Sequence, residues 1–248
     1  LIYGLPHQNT ESIKTTIDTV LSLDPDRLAL YHYAHLPHIF KPQRRIDTDA
    51  VPGSEEKLDI LQYCVQTLTR RGYVFIGMDH FAKPDDELSV ALREGLLQRN
   101  FQGYSTYADC DLVAIGVSSI GKIGSTYSQN ERNIDDYYAA IDAGRLPVMR
   151  GYQLNQDDLL RRTVIQDLMC RFALDYRAYE SVFGIPFGHY FKEELADLQQ
   201  LAELGLVRLS SHGLKVTPKG RFLIRNIAMV FDYHLRHRET KAQYSQTV

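Results

Sequence analysis

The chain has 248 residues, of which 44% are hydrophobic and 24% charged, and its formal net charge is −3. These values are typical of a globular protein with room for one large domain or two ordinary ones. They exclude a general electrostatic attraction to nucleic acid or to an anionic membrane, and no run of about 18 apolar residues predicts a membrane span. No signal or transit peptide is visible, so we expect a cytoplasmic protein.

Residues 1–150 alternate between strand-like and helix-like segments. Ile13, Ile17 and Leu21 share one face of a predicted helix, because apolar residues recur at helical spacing. The predicted elements in chain order are a strand at 1–5, a helix after Asn9, a strand at 27–33, a helix around 58–68, strand 73–77, a helix near 85–96, and strand 111–117. This order predicts an α/β domain with parallel strands joined by right-handed crossovers. Binding residues in such domains collect at the C-terminal ends of the strands.

Residues 151–248 follow a different pattern, mainly helical. Predicted helices at 159–172 and 187–204 are followed by a hairpin around the turn SSHG and by a helix that begins at Pro218. This order resembles a winged-helix domain. The formal charge also changes from acidic to slightly basic near residue 150, so we predict two domains, 1–150 and 151–248.

Five segments at predicted strand ends combine glycine with polar and aromatic residues. Glycine at such places lets a ligand approach the backbone closely. None has the glycine spacing of a phosphate-binding loop. The segments are 4–8, 31–37, 77–82, 99–104 and 116–124.

Two further groups of side chains, one inside these segments and one between them, are candidates for chemistry or binding. Asp79 and His80 could pair, with the carboxylate fixing the imidazole tautomer, although neighbours on a strand point to opposite faces and pairing needs an irregular backbone. Lys41, Arg44 and Arg45 form a basic loop after the second predicted strand. That loop is either a solvated surface or a clamp for substrate carboxylates.

Cys64, Cys110 and Cys170 are widely spaced and match no metal-binding or redox motif. We therefore expect three reduced thiols, as in a cytoplasmic protein, and no metal site in this chain.

The segments LIYGLP, IGMDHFA, RNFQGY and GVSSIG followed by YSQN resemble, in this order, the oxygen-independent coproporphyrinogen III oxidases (coproporphyrinogen dehydrogenases). These are radical S-adenosylmethionine enzymes, and the resemblance spans essentially the whole chain. It implies the second half of a partial (β/α) barrel followed by a winged-helix-like, mainly helical domain. The C-x-x-x-C-x-x-C loop that binds a 4Fe–4S cluster in this family is absent, so the resemblance places the cluster ligands upstream and implies that the fragment alone is inactive.

The resemblance also implies roles for individual residues. Ala34 and Ile120 correspond to residues that contact S-adenosyl-L-methionine. Phe101 and Gln102 lie where the family lines the active site, near a second S-adenosylmethionine or the substrate. By hypothesis, Lys41, Arg44 or Arg45 binds a substrate propionate.

The implied reaction begins with reductive cleavage of S-adenosylmethionine to a 5′-deoxyadenosyl radical. The radical takes a hydrogen atom from a propionate β-carbon, and loss of an electron and CO₂ leaves a vinyl group. Two propionates of coproporphyrinogen III react in this way to give protoporphyrinogen IX. We expect a flavodoxin or a ferredoxin-type electron donor and a monomeric enzyme, with no nucleic-acid or membrane partner.

Two alternatives remain from the sequence. The first is a haem chaperone of the same superfamily; members of that branch carry an N-x-x-Y-W pattern, whereas this chain has no tryptophan. The second is a winged-helix regulator that binds DNA. The helix KEELADLQQLAEL is acidic, which disfavours phosphate contacts and suggests a cover over the barrel mouth instead.

Overall fold

The computed structural model describes residues 1–107 and 110–237. The strands are β1 (Ile2–Tyr3), β2 (Arg27–Ala29), β3 (Tyr31–His32), β4 (Val74–Gly77), β5 (His80–Ala82), β6 (Gln98–Asn100), β7 (Gly103–Ser105), β8 (Ile120–Ile123), β9 (Thr126–Asn130), β10 (Val148–Gln153), β11 (Ala173–Asp175), β12 (Val207–Ser210) and β13 (Gly213–Val216). The helices are α1 (Thr10–Ser22), α2 (Ser54–Arg70), α3 (Glu87–Glu94), α4 (Ile134–Asp142), α5 (Gln156–Arg171), α6 (Tyr176–Phe183), α7 (Phe187–Tyr190), α8 (Lys192–Glu203), α9 (Pro218–Arg221), α10 (Ile224–Met229) and α11 (Tyr233–Arg236). The chain is thus a mixed α/β structure with a largely helical C-terminal part.

The first strands form the parallel unit that the sequence predicts. β1 pairs with β3 in parallel, and α1 lies between them in the chain. Asn9 and Ser12 form a capping box at the start of α1, which satisfies two otherwise unpaired N–H groups. Ile13 and Ile17 on the inner face of α1 are fully buried against α2 and the strands.

The prediction of parallel pairing is wrong for the later strands. β2, β5 and β4 form an antiparallel sheet in that order, and β6–β7 and β8–β9–β10 are also antiparallel. For three of these pairs the cause is the length of the connection, because only two residues separate β4 from β5, β6 from β7 and β8 from β9. Such short turns can join only antiparallel neighbours.

Two of the strands predicted from the sequence differ from what the structure shows. The segment predicted as a strand at 111–117 is a loop that makes one isolated bridge, from Leu112 to Lys122. Positive φ angles at Gly116 and Ser118 turn this segment away from extended geometry. The predicted strand at 27–33 is interrupted at Leu30, whose N–H donates to the Asp79 carbonyl, so that β2 and β3 join different sheets.

In the C-terminal part, the structure confirms the predicted hairpin and the predicted helix that begins at Pro218. Thr217 is the N-cap of this helix. The helix predicted at 187–204 is divided at Phe191, and the last helix is divided into α9, α10 and α11. Strand β11 and helix α6 were not predicted. The reason for the break at Phe191 is tertiary, because its fully buried ring packs against other aromatic rings.

One large hydrophobic core spans both halves of the chain. It joins Ile76 and Leu97 from the first half to Val164 and Phe187 from the second. β10 runs from Val148 to Gln153 and pairs with β9, so it passes through the predicted boundary at residue 150. That boundary stays a prediction. Within 1–107 and 110–237, the helices are all too short or too polar to cross a bilayer.

Candidate active site

The ends of β1 and β3 place Tyr3 beside His32. The two residues are partners in the parallel register, and their ring centroids lie 5.3 Å apart. Burial, together with the charge of Lys57, lowers the pKa of His32, so its imidazole is neutral near pH 7. In the described part of the chain its Nε2 is buried and has no hydrogen-bond partner. A neutral imidazole with a free ring nitrogen is suited to a hydroxyl or ring nitrogen of a bound ligand.

The loop after β3 carries Ala34, which is half-buried. The side chain of Gln43 holds this loop, donating from Nε2 to the Ala34 carbonyl at 3.0 Å and accepting from the Leu36 N–H at 2.5 Å. The Ala34 carbonyl is therefore engaged, while its methyl group and N–H remain candidates for the apolar and backbone contacts that the sequence predicts.

His80 connects this end of the molecule to the β6–β7 hairpin. Its ring meets Tyr31 edge-on at 6.1 Å and Tyr104 edge-on at 5.3 Å. Burial and the charge of Arg99 lower the pKa of His80, and its Nδ1 is buried without a partner among the described residues. A hydrogen-bonded carboxylate would raise that pKa, so the geometry does not support the predicted pairing of His80 with Asp79.

Asp79 lies among cations instead. Burial raises the pKa of its carboxyl group, and the charges of Arg225 and Arg99 partly oppose this effect. The backbone is irregular here, as the sequence required, with a positive φ at Met78 and a register shift in β4. The guanidinium of Arg99 lies 5.0 Å from the centroid of the Tyr104 ring.

Phe101 and Gln102 form the two-residue tip of the β6–β7 hairpin. The Gln102 N–H donates to the Asn100 side chain, which fixes the turn. Phe101 is 55% exposed, and its ring meets Tyr127 edge-on at 5.3 Å. An exposed aromatic ring that is held from one side is a suitable contact surface for a flat apolar ligand.

Ile120 lies on the hairpin that Phe101 contacts. Tyr127 is opposite Lys122 in the β8–β9 register, and Ile120 is two residues from Lys122. Side chains two apart on a strand share a face, so Ile120 and Tyr127 lie on the same face of this hairpin. The structure thus places Phe101, at the tip of the β6–β7 hairpin, against the β8–β9 hairpin that carries Ile120. The position of Ala34 relative to these two residues stays a prediction.

The segment before β8 is held by two side chains that the sequence analysis did not identify. Asn130 is buried and donates to the carbonyls of Ala114 and Gly116, while the Tyr137 hydroxyl accepts from the Gly116 N–H. Tyr127 was also missed as a contact of Phe101. The motif YSQN contains both Tyr127 and Asn130, but its spacing does not show which residues they contact.

The basic residues Lys41, Arg44 and Arg45 lie on an exposed 3₁₀ turn. Arg44 is exposed and donates through Nε to the Pro37 carbonyl at 2.9 Å. Within the described residues these three side chains form no ion pair with an acid. The turn therefore presents uncompensated positive charge.

The C-terminal part of the chain contacts β4 through Arg221. Arg221 donates to the Phe75 carbonyl at 2.9 Å and lies 4.1 Å from the centre of the Phe172 ring. Burial lowers the pKa of Arg221. The hydrogen bond to Phe75 links the second half of the chain to β4, whereas the contact with Phe172 lies within the second half.

The described residues do not provide a metal centre. In 1–107 and 110–237 there is no group of three or more His, Cys, Asp or Glu side chains that could hold a metal ion. Burial raises the pKa of Cys64 and of Cys170 to about 12, so neither is a thiolate near neutral pH, and Cys110 is exposed and unpaired. The residues present therefore do not fit an iron–sulfur cluster.

Comparison with known proteins gives three consistent results. The family model of the HemN C-terminal domain matches residues 154–223. The oxygen-independent coproporphyrinogen III oxidase of Salmonella typhimurium (strain LT2) is 50% identical over 248 residues, covering 100% of this chain and 54% of that protein. The protein of the same name from Thermostichus vulcanus is 47% identical over 239 residues, covering 96% of this chain and 74% of that protein.

A solved structure agrees with these matches. Coproporphyrinogen III oxidase (HemN) from Escherichia coli, described as a radical SAM enzyme, superposes with a TM-score of 0.92 at 51% identity. The match covers 95% of this chain and 54% of that one, so the chain spans about half the length of the Salmonella and Escherichia proteins. This chain belongs to the family of oxygen-independent coproporphyrinogen III oxidases.

Proposed function

We propose that the protein containing this chain decarboxylates two propionates of coproporphyrinogen III oxidatively and without O₂, giving protoporphyrinogen IX. The observation that carries this proposal is the match to a protein of that name, at 50% identity, over all 248 residues of the chain. The contact between Phe101 and the hairpin of Ile120 supports it, since both residues are proposed to line one cavity.

S-adenosyl-L-methionine is the proposed cofactor, and the residues present fit it in part. Ala34 and Ile120 offer apolar and backbone contacts, and the unpartnered Nε2 of His32 lies two residues before Ala34. Bound together with a 4Fe–4S cluster, this cofactor would supply the radical chemistry that the proposed reaction requires at the propionate β-carbon. We place the cluster ligands in the part of the protein that this chain does not cover.

Phe101 and Gln102 are proposed to position the reacting group. An aromatic ring and a neutral amide have no proton that titrates near neutral pH, so they orient the propionate by contact and hydrogen bonding alone. The exposed position of both side chains at the hairpin tip is consistent with contact to a ligand.

Lys41, Arg44 and Arg45 are proposed to bind propionate carboxylates. Their charge is uncompensated within the described residues, and an arginine fork matches a carboxylate in geometry. The test is charge reversal of Arg44 and Arg45 together in the full-length enzyme. An unchanged affinity for coproporphyrinogen III would remove these residues from the site.

The function itself is tested with the full-length protein, reconstituted without oxygen and supplied with S-adenosylmethionine and a reductant. We expect two molecules of CO₂ and one of protoporphyrinogen IX for each coproporphyrinogen III consumed. Transfer of haem to an acceptor protein without decarboxylation would instead assign the protein to the haem-chaperone branch. Salt-dependent binding to duplex DNA would favour the regulator, which the acidic surface of α8 disfavours.

The remaining assignments are part of the same proposal. We propose a cytoplasmic monomer that takes electrons from a flavodoxin or a ferredoxin-type donor, without nucleic-acid or membrane partners. The three unpaired cysteines among the described residues are consistent with a reducing compartment.

A further inference from the structure

A groove of about 880 Å³ lies on the C-terminal part of the chain. It is bounded by α5 and α6 and by the β11–β13–β12 sheet, and none of the candidate site residues above lines it. Its walls are mainly apolar and include Val182, which is 77% exposed, and Phe183. The volume lies within the range of about 300–1,000 Å³ that is typical of small-molecule sites.

The floor of the groove contains two cations that face each other. The β12–β13 register places Arg208 directly opposite Lys215, and both side chains are exposed. Like charges in this position destabilise a sheet. Arg177 at the start of α6 adds a third cation to the same lining. Within 1–107 and 110–237, Arg177, Arg208 and Lys215 form no ion pair.

The acids that line the groove are already engaged. Asp167 accepts from the Tyr179 hydroxyl at 2.5 Å and pairs with Arg171 at 3.4 Å. Asp175 caps α6 by accepting from the Arg177 N–H at 3.1 Å. Neither acid neutralises the Arg208–Lys215 pair through a direct contact, so the groove combines an apolar wall with uncompensated positive charge.

We propose that this groove binds an amphiphilic small molecule that carries several carboxylates. The carboxylates bind Arg177, Arg208 and Lys215, and the apolar body lies against Val182 and Phe183. Binding relieves the repulsion between Arg208 and Lys215. The choice of ligand rests on the proposed function, because a tetrapyrrole with four carboxylates has this combination of a large apolar ring and multiple anionic groups.

The substitution Arg208→Glu separates binding from folding. It replaces the repulsive pair with an attractive one across the same two strands, so we expect the apparent Tm of the full-length protein to rise by about 1–3 °C. It also removes a carboxylate ligand, so affinity at the groove should fall at least about tenfold. Arg145→Glu makes the same charge change on an exposed loop outside the groove, and we expect it to leave binding unaltered.

The measurement is equilibrium dialysis of the full-length protein against coproporphyrin III, with its uncharged tetramethyl ester as a control. The wild type should hold one more porphyrin per chain than Arg208→Glu, and the ester should not occupy the groove. Equal stoichiometry and affinity in the two proteins would overturn the proposal, whether or not the enzyme decarboxylates its substrate. If Arg208→Glu loses the porphyrin in the groove while the wild-type full-length protein shows no decarboxylation, the result supports the groove as a binding site and rejects the proposed activity.

Discussion

The hydroxyl of Tyr104 donates a hydrogen bond to the backbone carbonyl of Met169, and the two oxygens lie 3.0 Å apart. Met169 is in the last turn of α5, where carbonyls have no partner within the helix. The bond therefore satisfies a helix end and links β7 to the C-terminal part. Gly77 makes room for it, since a Cβ at that position would collide with the Tyr104 hydroxyl.

Replacing Tyr104 with Phe should destabilise the protein by about 1–2 kcal/mol, because the buried Met169 carbonyl loses its partner. Chemical denaturation of the full-length protein measures the change. Tyr107→Phe is the matched control, since Tyr107 is 75% exposed and should change stability by less than about 0.5 kcal/mol. Equal effects of the two substitutions would show that the hydrogen bond contributes nothing.

Glu194 is 4% exposed and binds the Arg161 guanidinium at 2.7 Å. Replacing Glu194 with Ala should lower the free energy of unfolding by about 3 kcal/mol, because Asp157 is then the one carboxylate among the described residues that still pairs with the largely buried Arg161. The neighbouring Glu193 has a side chain that is 81% exposed, and Glu193→Ala should cost less than about 0.5 kcal/mol. Urea midpoints compare the two variants, and similar midpoints would contradict the prediction.

The lowered pKa of His80 makes stability depend on pH. The buried imidazole stays neutral in the folded protein, whereas in the unfolded chain it takes up a proton near its usual pKa of about 6.5. Its contribution is therefore present above about pH 6.5 and is lost as the pH falls towards the folded-state pKa. Free energies of unfolding measured from about pH 7.5 to 5 should fall less steeply for His80→Phe than for the wild type.

His32 has a lowered pKa for the same reason and adds to the same slope. Some pH dependence should therefore persist in His80→Phe and decrease further when His32 is also replaced. An identical slope in the wild type and in His80→Phe would mean that the His80 pKa is not lowered by folding.

We expect the loss of the Phe101 ring to lower turnover strongly and to lower the stability of the fold only slightly. Since its ring is 55% exposed, Phe101→Ala should cost less than about 1 kcal/mol of stability. Turnover of the full-length enzyme should fall about 100-fold, because the substrate loses its orienting surface. Leu146→Ala, at a position 84% exposed and away from the hairpin, should leave both quantities unchanged. A Phe101→Ala enzyme with wild-type turnover would remove this residue from the active site.

Local signals predicted the elements that depend on short-range chemistry. The Asn9 cap, the apolar face of α1 and the start at Pro218 are confirmed, because each is determined by residues within one or two turns. The break at Phe191 was not predicted, because neither residue beside Phe191 is Gly or Pro, and one ring that packs against it, that of Phe231, is far along the chain. Antiparallel pairing was missed because the two-residue turns were interpreted as ligand loops.

The candidate site was predicted as a set of segments but not as a set of contacts. The sequence identified Phe101 and Ile120 by resemblance, yet it did not show that Tyr127, on the same hairpin as Ile120, contacts Phe101. The same holds for His80, where the neighbouring Asp79 suggested a carboxylate partner and folding provided aromatic rings instead. Contacts of this kind, between residues distant in the sequence, depend on the register of the paired strands, and the periodicity of apolar residues does not determine that register.

The connection from β10 to α5 limits how the two halves of this chain can move relative to each other. Gln153 ends the strand, Asn155 caps the helix, and Leu154 between them is hydrogen-bonded to the Ser125 carbonyl. Because no free linker separates the two halves, they cannot swing apart as rigid bodies without breaking β-sheet hydrogen bonds. For the proposed substrate we therefore expect loop rearrangement, and not a hinge between these two parts of the chain, to control the kinetics of binding.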